Sequence, residues 1–157
     1  MDLTKLTSFL FNASQTGYGT GDYSNWVKEK NDSTSIVYKE KNWEMHDNFF
    51  GGEPFGGRSV VFYKKKPVWM MVYYGYILES NELPIEKVYK FLQKSLIKTP
   101  KNFPLRGPKK FIEDKLTYKN LWQGEISKFS GEEKIFVNKD EIYKTNYLGG
   151  LVNLQSG

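Results

Sequence analysis

The sequence predicts an α+β fold in which two helices pack on a largely antiparallel sheet of about seven strands, as an internal duplication of a helix-plus-strands unit. Three observations point there: two stretches with helical apolar spacing, a series of strand-like runs separated by turn residues, and a self-similarity at a shift of 74 positions. At 157 residues the chain has the size of one domain, with one repeat over about 1–78 and a second over about 83–152.

Leu3, Leu6, Leu10 and Ala13, with Phe9 beside them, recur at helical spacing behind Asp2, whose carboxylate can cap the first turn. Residues 16–33 are rich in glycine, asparagine and serine and read as a loop that could act as a lid. Strands follow at Ile36 to Lys39, Trp43 to Phe50, Ser59 to Tyr63 and Val68 to Ile77. A second helix opens at Pro84 and sets Ile85, Val88, Tyr89, Leu92 and Leu96 on one face. Beyond the prolines at 100, 104 and 108, strands return at Leu116 to Trp122, Glu133 to Asn138 and Glu141 to Leu148.

Residues 55–78 align without a gap on 129–152, with six identities in 24 columns where average usage gives about one or two. The identical pairs are Phe55/Phe129, Gly57/Gly131, Phe62/Phe136, Lys65/Lys139, Tyr73/Tyr147 and Gly75/Gly149. Upstream the alignment slips by two, bringing Asn48, Gly52 and Glu53 to Asn120, Gly124 and Glu125. Alternation puts Trp69, Met71, Tyr73 and Ile77 on the face expected under the helices. Val68, Met70, Val72, Tyr74 and Tyr76 form an extra apolar face in the first repeat only, which is expected to be buried by Ile36 and Tyr38.

Composition excludes several function classes. The absence of cysteine removes disulfides and thiolate metal sites, and the single His46 offers no histidine cluster, so no metal and no cofactor is expected. With no apolar run of membrane-spanning length and no signal pattern, the sequence reads as a cytoplasmic protein without membrane contact. The net charge of +5 comes from lysines interleaved with glutamates, which argues against nucleic acid as a partner; Lys64-Lys65-Lys66 reads as a hairpin tip.

The run Phe49-Phe50-Gly51-Gly52-Glu53-Pro54-Phe55-Gly56-Gly57 and the later Pro67-Val68-Trp69-Met70-Met71-Val72-Tyr73-Tyr74-Gly75 resemble a bacterial domain of unknown function, family 5680. The resemblance continues through Phe103-Pro104-Leu105-Arg106-Gly107-Pro108, Phe129-Ser130-Gly131-Glu132-Glu133 and Gly149-Gly150-Leu151-Val152. Members of that family stand alone or follow a repressor-type helix-turn-helix, so the resemblance implies a sensing or regulatory role and carries no catalytic residues.

The function itself is not readable from these residues, and the leading expectation is a non-catalytic small-molecule-binding or sensor domain with a pocket between the repeats. Its aromatic walls would come from Trp43, Phe50, Trp69, Tyr73 and Trp122, and its polar contacts from Glu53, Arg58 or Arg106. Both arginines sit beside glycine in a chain that otherwise uses lysine, and only a planar guanidinium grips an acid in two places. Glycines at 51–57 leave backbone amides open to an anion, although neither nucleotide-binding glycine pattern is present. Two alternatives stand beside this one. One is a hydrolase or transferase using Glu53 with His46, which must converge on one cleft even though His46 and Asp47 point to opposite faces. The other is a protein- or nucleic-acid-interaction module; the oligomeric state stays open.

Overall fold

The computed structural model describes residues 1–152. Helix α1 (Leu3–Ser14) is followed by a 3-10 turn (Tyr18–Thr20) and by strands β1 (Trp26–Lys28), β2 (Thr34–Glu40), β3 (Trp43–Gly51), β4 (Phe55–Tyr63) and β5 (Lys66–Ile77). Helix α2 (Ile85–Leu96) then leads to β6 (Lys110–Glu113), β7 (Leu116–Glu125), β8 (Lys128–Val137) and β9 (Asp140–Leu151). All nine strands form one sheet in the order β1-β2-β3-β4-β5-β9-β8-β7-β6, and every neighbouring pair is antiparallel.

The molecule is therefore mostly β, at 50% strand and 18% helix, and the expected α+β fold of two helices on about seven strands is corrected to a nine-stranded antiparallel sheet. The two strands that sequence reading missed are its edges, β1 with three residues and β6 with four. Each is too short for an alternating pattern to emerge, and each adjoins a segment dense in turn residues.

Both helices lie on one face of the sheet. Asp2 caps α1 by accepting from the Lys5 amide at 3.2 Å, and Leu6, Phe9 and Leu10 bury against Val61, Trp69 and Met71. Pro84 precedes the first turn of α2 rather than opening it, and Val88, Phe91, Leu92 and Leu96 bury against Tyr118, Ile135, Ile142 and Tyr143. The buried positions of α1 each have a buried counterpart 82 residues later in α2.

Strand registers repeat as well. Phe55 pairs with Gly75 and Gly57 with Tyr73, as Phe129 pairs with Gly149 and Gly131 with Tyr147. The shared columns of the sequence alignment are thus one physical device, in which an aromatic ring lies flat on a glycine of the neighbouring strand. A Cβ on Gly131 would stand 2.1 Å from Tyr147 Cζ, and one on Gly75 would stand 2.6 Å from Phe55 Cζ. Tyr73 lies opposite Tyr147 where β5 meets β9, so the two aligned tyrosines face each other.

Upstream, the two halves correspond at a shift of 73, not the 72 expected from sequence. Gly51 opposite Phe55 matches Gly124 opposite Phe129, and both glycines adopt positive φ, 77° and 87°. The β7–β8 turn is one residue longer than the β3–β4 turn, and this single insertion displaced the alignment. Under the corrected register Asp47 matches Asn120, Phe49 matches Trp122, and Ser59 matches Glu133.

Two further expectations change. Val68 and Ile142 are skipped in the strand pairing, so a bulge turns them toward the helices rather than away. The outer face is not buried either: Val72 and Tyr74 are 37% and 55% exposed, while Ile36 lies in the core of the opposite face. Among the described residues no helix covers this side, and its second half instead carries ion pairs linking Glu132 and Glu141 with Lys134 and Lys144.

Candidate functional site

A cavity of about 440 Å³ opens on the helix-bearing face, between the N-terminal half of α2, the segment around the 3-10 turn, and the β3–β5 end of the sheet. Its volume lies in the range of small-molecule sites. Tyr18, Tyr23 and Trp26 wall one side, Phe49 and Phe55 rise from the sheet, and Ile85, Tyr89 and Leu92 project from α2. Trp26 stands edge-on to Phe49 at 5.4 Å and to Tyr23 at 4.4 Å. The wall is held in place by α2, since Gln93 donates to the Tyr23 hydroxyl at 2.8 Å. Part of the expected lid, residues 16–33, thus forms the roof of this cavity.

Polar groups gather at its base. Asp47 Oδ1 accepts from the Tyr73 hydroxyl at 2.7 Å and from Ser59 at 3.0 Å; among the described residues nothing donates to its Oδ2. Arg106 stands over the Tyr73 ring at 5.6 Å and gives its Nε–H to Glu133 at 2.7 Å, leaving its outer nitrogens without an acceptor among the described residues. Arg106 has φ of 66°, a conformation uncommon outside glycine. The loop is pinned around it: Asn120 donates to the Gly107 carbonyl at 2.9 Å, the Gly107 amide donates to Tyr118, and Thr99 donates to the Arg106 carbonyl. The indole N–H of Trp26 is buried and has no partner among the described residues.

Burial pushes the Asp47 carboxyl above the usual carboxylate range, against the opposing effects of Tyr73, Ser59 and Arg106. Burial also raises Tyr73 well above the normal phenol range, with Asp47 adding to it, so the phenol keeps its proton and donates. For Arg106, burial alone would lower the pKa, but Glu133 outweighs it and the guanidinium stays charged. An acid whose pKa is higher folded than unfolded stabilises the fold below its unfolded value, near 3.9, and this contribution is lost as pH rises through the folded value. Asp47→Asn is therefore expected to match or exceed the wild-type melting temperature at pH 7, with the advantage vanishing toward pH 4. The second half shows that asparagine fits there, since Asn120 accepts from Tyr147 at 2.7 Å. A melting series against pH checks this; a variant less stable at pH 7 than at pH 4, relative to wild type, contradicts it.

Of the residues singled out from sequence, Glu53, Tyr73 and Arg106 line the cavity. Glu53 serves as a tie, accepting from the Ile77 amide at 2.7 Å and from Tyr89. The others lie elsewhere. Trp69 is fully buried in the core with its indole bonded to the Ile126 carbonyl, and Trp43 packs between Phe9 and Tyr63. Trp122 stacks on Phe103 at 4.4 Å, while Arg58 and Phe50 are exposed on the outer face. His46 also lies on that outer side, paired with Glu44, so His46 and Glu53 do not converge. Lys64 and Lys65 form the β4–β5 turn.

Alternation could have found Asp47, the one acidic residue on the inward side of β3, whereas Tyr18, Tyr23 and Trp26 sit in a stretch with no periodicity to read. Phe103 fills the equivalent place beside β7 and β8, stacked on Trp122 and edge-on to Phe129, the counterparts of Phe49 and Phe55. Among the described residues no group of three His, Asp or Glu side chains could hold a metal ion, and no helix is long and apolar enough to cross a membrane.

Residues 47–152 match the model of the family described as a domain of unknown function (DUF5680), and the chain belongs to that family. The match includes Asp47, Glu53, Tyr73 and Arg106 but not Tyr18, Tyr23 or Trp26, so it spans the base of the cavity and not its roof. Neither the curated proteins nor the solved structures contain a match to the chain.

Proposed function

We propose that this protein binds a small molecule in the cavity between the 3-10 turn segment and α2, and that it holds the ligand rather than transforming it. One observation carries the proposal: a free carboxylate oxygen of Asp47 and the free nitrogens of Arg106 meet at the base of an aromatic-walled cavity. These groups have no protein partners among the described residues and remain open to the cavity, so a ligand can pair with both at once. Binding is favoured over catalysis because Glu53, the other carboxylate at the cavity, has both oxygens engaged. A sensing role, in which occupancy orders the roof segment, fits this arrangement.

Thermal-shift screening of a metabolite library tests the proposal. A ligand at about 100 times its Kd adds roughly 2.7 kcal/mol to stability, so a true ligand raises the melting temperature of the wild type clearly. Ile85→Trp, which enlarges a half-exposed side chain at the cavity mouth, should abolish that shift while leaving the unliganded protein folded. No stabiliser of the wild type, or an equal shift in Ile85→Trp, contradicts the proposal.

A further inference from the structure

We infer that the ligand is a neutral, flat molecule whose edge carries a carbonyl acceptor beside an N–H donor, that is, a lactam or ring amide. This rests on the binding proposed above and adds the chemistry of what is bound.

Each unsatisfied group at the cavity sets a requirement. The outer nitrogens of Arg106 need an acceptor, and a simple ammonium ion has none to offer. Asp47 Oδ2 faces the ligand as an acceptor when ionised and as a donor when protonated. An amide edge serves either state, giving its N–H to the carboxylate or its carbonyl to the acid.

Charge narrows the choice further. Glu133, on the far side of Arg106 from the cavity, already neutralises the guanidinium at 2.7 Å, so Arg106 is available as a donor and is not a vacant counter-ion. An anionic ligand would lie against Asp47 and Glu53, and a cationic one would lie against Arg106 itself. A neutral ligand avoids both like-charge contacts. The body of the ligand is set by the walls: Trp26, Phe49, Phe55, Tyr18 and Tyr89 offer ring faces and edges suited to an aromatic or fused-ring molecule.

Calorimetric titration with four probes of similar size tests the inference: 2-quinolinone, its N-methyl derivative, 1-naphthylmethylamine and 2-naphthoate. The lactam is expected to bind wild type, with N-methylation weakening it about tenfold or more because one buried hydrogen bond is lost. The amine and the carboxylate should each bind at least about tenfold more weakly than the lactam. In Asp47→Asn, Tyr73 and Ser59 keep the side-chain oxygen and the amide nitrogen turns to the cavity, so the preference for N–H over N-methyl should disappear. Retention of that preference in Asp47→Asn overturns the inference. Tighter binding of the amine or the naphthoate, sensitive to Ile85→Trp, overturns it too but leaves the binding function standing. Failure of all four probes also overturns it, and only a simultaneous failure of the library screen removes the underlying function.

Discussion

Glu133→Ala is expected to lower unfolding stability by about 3–5 kcal/mol, because it removes one partner of a buried ion pair and leaves the other charge uncompensated. Glu133 is fully buried and Arg106 is only 12% exposed, so water cannot replace the lost carboxylate. The same carboxylate accepts from Tyr118 at 2.5 Å, so a second buried donor loses its partner at once. For a chain of this length each ~1 kcal/mol moves the melting temperature by roughly 2–4 °C. The double variant Arg106→Met/Glu133→Leu should recover much of the loss, since replacing both charges removes the uncompensated one. Denaturant unfolding of the single and double variants measures this. A single-variant loss below about 1 kcal/mol would mean that the pair is solvated, which would undo the charge argument for the ligand.

Trp69→Ala is expected to cost about 3–5 kcal/mol. Its ring is completely buried, stacks on Phe129 at 5.7 Å and meets Leu6, Phe9 and Leu10 of α1. Its indole N–H satisfies the Ile126 carbonyl at 2.9 Å in the one-residue insertion of the β7–β8 turn, so truncation also leaves that carbonyl buried and unpaired. The effect should appear in unfolding free energy and not in ligand affinity measured under folding conditions. Loss of affinity with little loss of stability would place Trp69 at the site and contradict the fold described above.

How much of this was legible in sequence follows from the length of each signal. Seven strands and both helices announced themselves because one period recurs along each of them, as in Trp69, Met71 and Tyr73. The three-residue β1 and the four-residue β6 carry no such period, and they raise the sheet from seven strands to nine. The repeat alignment marked Phe55, Gly57, Tyr73 and Gly75, but only coordinates show that they form ring-on-glycine pairs. Among the proposed site residues, Arg106 was marked by its rarity and Glu53 by its glycine-rich setting, while Trp69 and Trp122 were chosen for size alone. Large aromatic residues fill cores more often than they line cavities, and here the second half uses Phe103 and Trp122 to close what the first half leaves open. Alternation places Asp47 and His46 on opposite faces. That geometry was right, but the inward neighbour, not the histidine, reaches the cavity.

The roof of the cavity holds the most direct probe of the central claim. Among the described residues, Trp26 is the tryptophan that lines the cavity, and its indole N–H is buried without a partner, while that of Trp69 is bonded to Ile126 in the core. Titration with a library-derived stabiliser, followed by nitrogen–proton correlation spectra of the indole groups, should shift the signal of Trp26, whose ring lines the cavity, and leave Trp69 in place. A stabilising ligand that leaves the Trp26 signal unmoved, or moves that of Trp69 instead, would show that binding occurs elsewhere and contradict the account.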